Sequence, residues 1–106
     1  MVGMDRNTRQ LITDHLKTRY VVGVPEGIEV IVSLDRLMFC RTEGVTERLV
    51  EIWMHAELAS VRNVVTGEQK SISYDDPNMF AMVDKWMVEF LEETTFEAVL
   101  PWWPAD

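Results

Sequence analysis

The sequence predicts an α+β fold: an antiparallel sheet of four or five strands, an N-terminal helix, and a C-terminal amphipathic helix packed on one face. Two observations lead to it. Apolar residues recur with helical periodicity near both ends of the chain, and between them segments rich in β-branched residues alternate with turn residues. The chain has 106 residues, of which 47% are hydrophobic, and this is enough to bury one core. Residues 1–106 are therefore predicted to form a single domain.

The first predicted element is a helix over residues 5–20. Its apolar residues are spaced so that they build one face, and they are Leu11, Ile12, Leu16 and Tyr20. Asp5 or Asn7 can cap the helix start by accepting hydrogen bonds from backbone N–H groups.

Short antiparallel strands are predicted after this helix. The segment Val24-Pro25-Glu26-Gly27 suits a turn, because proline fits its second position and glycine its last. Residues 28–33 are rich in β-branched side chains, which favour a pleated sheet, and residues 37–40 resume the apolar run.

Residues 45–65 fit two interpretations. Helical spacing and the content of alanine, leucine and glutamate are compatible with a helix. Strict alternation of apolar and polar residues from Val50 to Leu58 is typical of a half-buried strand, and it leads to a hairpin at residues 64–68. We therefore predict a strand, followed by a second one that includes residues 71–74.

The C-terminal helix is predicted to start at Asp76, a good N-cap, with Pro77 at the first helical position. One side of the helix is apolar and is expected to pack on the sheet; it holds Met79, Phe80, Met82, Val83, Trp86, Met87, Phe90 and Leu91. The other side is polar and is expected to face water; it holds Asn78, Asp84, Lys85, Glu89, Glu92 and Glu93.

The tail beyond this helix contains Trp102 and Trp103 between two prolines. The indoles can fold back onto the sheet edge or the helix end, which is favoured because exposed tryptophans invite aggregation. They can also anchor a partner, since tryptophan is enriched among binding hot spots.

Acidic charge is concentrated at the C-terminal end of the chain. The net charge is −8, and residues 75–106 hold eight acidic side chains against one lysine, together with three of the four tryptophans. Residues 1–20 instead carry four cations and two acids, a net charge of +2. We expect this basic helix to lie against the acidic remainder, within the fold or across a homodimer.

The overall charge and the absence of long apolar runs also restrict partners and location. A pI near 4.7 opposes direct binding to nucleic acid and to anionic membranes. No apolar run approaches the roughly 20 residues that span a bilayer. The charged N-terminus lacks an apolar signal core, so a cytoplasmic protein is predicted.

Few groups in the sequence suit catalysis. His15 and His55 lie on different predicted elements, and Cys40 ends an apolar run, where a buried, inert thiol is expected. His55 and Glu57 would share one strand face, but the zinc deaminases that use His-x-Glu also need a Pro-Cys-x-x-Cys element. The chain has one cysteine. We therefore rank a hydrolase or isomerase that uses His55, Glu57 or Cys40 below a non-catalytic protein, and we predict no cofactor and no metal site.

These observations favour a non-catalytic, acidic protein-binding module. Its sharpest form is an inhibitor or immunity-type protein that blocks a basic, nucleic-acid-binding protein partner. The predicted partner-binding residues are Glu89, Glu92, Glu93, Glu97, Trp102 and Trp103. The alternative is a small-molecule-binding α+β domain, with homodimerisation as an option. Its pocket would lie between the sheet and the C-terminal helix, lined by methionines and by Phe39, Trp53 and Trp86.

Overall fold

A computed structural model describes residues 5–104 and contains two helices and five strands. In chain order they are α1 (Arg6–Arg19), β1 (Ile28–Val32), β2 (Arg36–Arg41), β3 (Glu47–Met54), β4 (Leu58–Asn63), β5 (Gln69–Ser73) and α2 (Met79–Thr95). The sheet order is β1-β2-β3-β4-β5, and each strand is antiparallel to its neighbours. The predicted α+β class is confirmed, with five strands.

Both described helices pack on the same face of the sheet. This face buries Leu37, Phe39, Val50, Ile52 and Val61 completely, and α2 packs against β3, β4 and β5. The opposite face, which we call the open face, carries the side chains of alternate strand residues, among them Arg36, Met38, Glu51, Trp53 and Ser60.

Helix α1 begins as predicted but buries a different set of residues. The Asp5 carboxylate accepts a hydrogen bond from the Thr8 N–H at 2.9 Å, so Asp5 is the cap, and this bond holds its pKa below the ordinary value. Leu16 and Tyr20 are buried as expected, whereas Leu11 is 71% exposed. The prediction for Leu11 is wrong, because this residue lies on the side of the helix that faces away from the sheet.

The single strand predicted over residues 50–58 is wrong: β3 ends at Met54 and β4 begins at Leu58. The chain reverses after Met54, and the His55 N–H donates to the Leu58 carbonyl at 2.9 Å across the turn. His55 and Glu57 therefore lie in a turn and not on one strand face, and the His55 ring stacks on Trp53 with centroids 6.3 Å apart. Apolar and polar residues continue to alternate through this turn, which contains neither glycine nor proline, so the sequence carries no signal for the reversal.

Helix α2 begins two residues later than predicted. Asp76 caps a turn before the helix by accepting a hydrogen bond from the Asn78 N–H at 2.8 Å, and Met79 is the first helical residue. Pro77 consequently precedes the helix. The apolar side is confirmed: six of its eight residues are buried, and Phe80 and Met82 are half-buried against the core.

Asp84 does not face water as predicted. Its carboxylate accepts hydrogen bonds from Arg19 Nε at 3.0 Å and from the Tyr20 hydroxyl at 2.8 Å. The Arg19 side chain is only 1% exposed. Burial, followed by the nearby Asp84 charge, raises the pKa of Tyr20 strongly, so its hydroxyl stays a donor at neutral pH. The ion pair between Arg19 of α1 and Asp84 of α2 is thus a contact of the expected kind between the basic helix and the acidic remainder, made within one chain.

Cys40 lies in β2 with 1% of its surface exposed. Burial raises the pKa of its thiol, which disfavours the reactive thiolate. The expected buried, inert thiol is therefore what the structure contains.

Candidate protein-binding site

A cleft of about 380 Å³ lies where the end of α2 meets the start of β1. Its walls come from residues 25–28, from Arg41, Glu43 and Leu49, and from residues in the range 95–102. We call it the terminal cleft. It brings together two parts of the chain that are far apart in sequence, the turn before β1 and the segment after α2.

The turn before β1 depends on glycine. Gly27 has φ +91°, a conformation that side chains with a Cβ rarely adopt. A Cβ built there would also lie 3.6 Å from Glu43 Oε1. Glycine at this position therefore allows the backbone to turn into β1, and the Glu43 carboxylate lies close to this turn at the cleft wall.

The terminal cleft is acidic. Glu26, Glu43 and Glu97 line it, and the last turn of α2 has no basic residue. The carbonyl end of a helix carries partial negative charge, which adds to the field of nearby carboxylates. Among the described residues that line the cleft, Arg41 is the one cation. Its guanidinium donates a hydrogen bond to the Thr94 carbonyl at the end of α2, at 3.0 Å. A cationic group entering the cleft would therefore be stabilised.

Phe96 ends α2 in an unusual conformation. It has φ +59°, in the left-handed region, and its N–H closes the helix by donating to the Glu92 carbonyl at 2.9 Å. Glycine or asparagine usually takes this position, because a Cβ is strained there. The Phe96 side chain is also 91% exposed, and Leu100 nearby in the chain is 88% exposed. Two large apolar side chains thus stand in water beside the acidic cleft.

The four predicted glutamates divide into two groups. Glu92 and Glu97 are exposed, and Glu97 lines the cleft. Glu93 is also exposed but accepts a hydrogen bond from Asn63 Nδ2 at 3.0 Å, and Glu89 is half-buried and forms an ion pair with Lys70 at 3.5 Å. Glu89 therefore points towards β5 and away from the cleft.

The two predicted tryptophans pack against the fold. Trp103 is 6% exposed, and its ring centroid lies 5.1 Å from that of Tyr20. Trp102 is half-buried and donates its Nε1–H to the Tyr20 carbonyl at 2.8 Å. The favoured prediction, that the tail folds back, is confirmed. Trp103 is a core residue in this structure, while Trp102 contributes one wall of the terminal cleft.

Four residues at or beside the cleft were not predicted as site residues: Phe96, Leu100, Glu26 and Glu43. Only Phe96 carries a local signal, because an aromatic residue directly after the Thr-Thr helix end occupies the place where glycine or asparagine is common. Glu26 and Glu43 are brought to the cleft by the sheet topology and Leu100 by the segment that follows α2, and no local pattern encodes either arrangement.

The residues of the alternative pocket do not line one cavity. Phe39 and Trp86 are buried in the core between sheet and helices, whereas Trp53 lies on the open face with the Arg36 guanidinium 3.9 Å from its ring centroid. Within residues 5–104, no group of three or more histidine, cysteine or acidic side chains is arranged to hold a metal ion. Neither described helix is long and apolar enough to cross a membrane.

Comparison with protein families, curated proteins and solved structures finds no match to this chain.

Replacing Phe96 by glycine is expected to stabilise the fold by about 1 kcal/mol, because the left-handed strain disappears. An exposed side chain with 91% accessibility has little packing to lose. Chemical denaturation of wild type and Phe96→Gly measures the effect. Phe96→Ala keeps the strained conformation and serves as the control, with no comparable gain expected. A Phe96→Gly variant less stable than wild type would contradict this account of the helix end.

Proposed function

We propose that the protein is a non-catalytic binding module that docks onto a basic protein partner through the terminal cleft. The observation that carries the proposal is Phe96, an exposed aromatic residue held in a strained backbone conformation. Backbone strain of this kind clusters at functional sites. A partner that covers the ring would recover the apolar burial that the free protein lacks.

The charge around Phe96 supports a basic partner. Glu92 and Glu97 flank it in sequence and are exposed, and Glu26 and Glu43 line the adjoining cleft. Acidic residues around an apolar anchor attract a cationic surface at long range and exclude acidic ones. The finer form of the proposal is an inhibitor or immunity-type protein that occupies the cationic groove of a nucleic-acid-binding protein. The glutamates would then take the place of phosphates.

Reversing the charge at Glu97, which lines the cleft, and at Glu92, which precedes it on α2, tests the proposal; we call this double variant the cleft variant. The double variant Glu92→Lys/Glu97→Lys changes the net charge from −8 by four units. We expect it to retain at least about tenfold less basic protein from a lysate of the source organism than wild type does, because each desolvated charge contact is worth on the order of 1–3 kcal/mol. Quantitative mass spectrometry of captured proteins at low and high salt measures retention, and a nucleic-acid-binding assay of the captured protein tests for inhibition.

The matched control is Glu57→Lys/Asp75→Lys. Both residues are exposed. Glu57 lies in the β3–β4 turn and Asp75 between β5 and α2, at the opposite end of the sheet from the cleft. This variant has the same net charge as the cleft variant. Equal loss of retention in the two would mean that only overall charge matters, and unchanged retention in the cleft variant would refute docking at the cleft.

The volume of the terminal cleft favours one alternative function, the binding of a small molecule. About 380 Å³ falls within the range of ligand pockets, and Trp102 offers an apolar wall. This is a different location from the methionine-lined pocket expected between sheet and helix. A thermal-shift screen separates the functions, because a small ligand that stabilises wild type but not a Trp102→Ala variant would favour this alternative.

A further inference from the structure

The outer edge of β1 offers unpaired backbone groups. Hydrogen bonds from Ser33 N to Arg36 O (2.8 Å) and from Thr42 N to Gly27 O (3.0 Å) show that odd-numbered residues of this hairpin bond to β2. Alternate residues in an antiparallel strand face the other way. The N–H and C=O groups of Val30 and Val32 therefore point out of the sheet, and no described strand pairs with them.

This edge lacks the features with which proteins usually protect an edge strand. It contains no proline and no lysine, and the side chains of Ile31 and Val32 are 39% and 46% exposed. The other edge, β5, differs because four of its five residues are polar, including Lys70. A β-strand of another chain would thus find a hydrophobic edge at β1 and a polar one at β5.

The charge beside β1 decides what kind of strand fits. Glu29 is the one charged residue of β1, and the start of the strand forms part of the acidic terminal cleft through Glu26, Gly27 and Ile28. A second copy of this chain carries the same net charge of −8, which disfavours its pairing at this edge. A segment with alternating basic and apolar residues would place its cations beside these carboxylates and its apolar side chains beside Val32.

We propose that the partner's basic segment binds as an additional antiparallel or parallel strand on the edge of β1, with one end entering the terminal cleft. This rests on the proposed function and specifies its recognition mode: backbone hydrogen bonds to Val30 and Val32 give the register, and the carboxylates select a basic sequence. The partner therefore presents an extended, exposed stretch in place of a folded helical surface.

Peptide binding to purified protein tests this mode. The probe is a fluorescent peptide of about eight alternating lysine and valine residues, long enough to cover the five residues of β1. In the variant Val32→Pro the outward N–H is lost, while the ladder to β2 keeps its bonds. We expect Val32→Pro to weaken peptide binding by about tenfold, since backbone hydrogen bonds and close approach are both lost. Fluorescence anisotropy measures the change.

The matched control is Ser71→Pro, which removes an outward N–H from the middle of β5. Binding by this variant is expected to stay within about twofold of wild type. A glutamate–valine peptide should bind much more weakly than the lysine–valine peptide. N-methylation of alternate residues removes the N–H donors from one edge of the peptide. Of the two peptides methylated on the lysines or on the valines, only the one that keeps the donors facing β1 should bind.

Amide hydrogen exchange in the wild-type protein gives a second measurement that does not depend on a variant folding. The peptide is expected to slow exchange at Val30 and Val32 and to leave Ser71 unchanged. One outcome is that Glu92→Lys/Glu97→Lys weakens peptide binding, Val32→Pro leaves it unchanged, and the peptide does not slow exchange at Val30. The strand mode is then overturned and docking at the cleft stands. If Val32→Pro weakens binding and the cleft variant does not, the strand mode stands and the cleft fails. An absence of measurable peptide binding to wild type overturns the strand mode.

Discussion

Replacing Asp84 by alanine is expected to lower the free energy of unfolding by about 3–5 kcal/mol, a large part of the 5–15 kcal/mol typical of a domain this size. The reason is the burial of Arg19, whose side chain is 1% exposed and whose Nε and Nη2 both bond to this carboxylate. The Tyr20 hydroxyl loses its acceptor as well. Urea denaturation followed by tryptophan fluorescence measures the loss.

Two controls separate the buried charge from other causes. Lys85→Ala changes the exposed neighbour of Asp84 on α2 and should alter stability by less than about 0.5 kcal/mol. The double variant Arg19→Met/Asp84→Leu removes both charges and should recover much of the stability that Asp84→Ala loses, since a matched apolar pair needs no desolvation. A loss below about 1 kcal/mol in Asp84→Ala would show that the pair behaves like an exposed one.

Replacing Trp103 by alanine is expected to lower the free energy of unfolding by about 3–5 kcal/mol, the usual effect of truncating a buried tryptophan. Its ring is 6% exposed and packs edge-on against Tyr20 and Trp102, with centroids 5.1 and 4.8 Å apart. Thermal denaturation and urea denaturation of the same variant measure the loss.

Trp102→Phe provides the comparison for this prediction. It keeps an aromatic ring beside Phe39 but removes the hydrogen bond from Nε1 to the Tyr20 carbonyl, so a smaller loss of about 1 kcal/mol is expected. The two effects also distinguish packing from docking. If Trp103→Ala left stability unchanged and lowered partner retention, the tail would be a binding element and not part of the core.

The sequence predicted most elements because their signals are local. The alternation at Val50, Ile52 and Met54 and the periodic apolar side of α2 each follow from the repeat of a single element. These three strand residues and most of that side of α2 are buried as expected. Two errors have the same physical origin. The turn at His55 continues the alternation of its neighbours, and the burial of Asp84 is set by Arg19, 65 residues away. Neither is visible within a local window.

The candidate site was predicted only in part for the same reason. Glu92 and Glu97 were found because acidic residues cluster in the last third of the chain. Glu43 and Glu26 reach the cleft only after the β1–β2 hairpin has folded beside the end of α2. The edge of β1 was also invisible in the sequence, since a strand's neighbours are a property of the whole sheet.

The bond between Trp102 and Tyr20, which spans 82 positions of the chain, bears on how the protein folds during synthesis. Helix α1 is synthesised before the sheet and α2, and residues at its end contact Asp84, Trp102 and Trp103, which are synthesised after the sheet. Contacts between such distant residues form late and slow the reaction, because a long loop must close first. We therefore expect α1 to stay undocked on the nascent chain, and the native state to form in one cooperative step after translation reaches the tail.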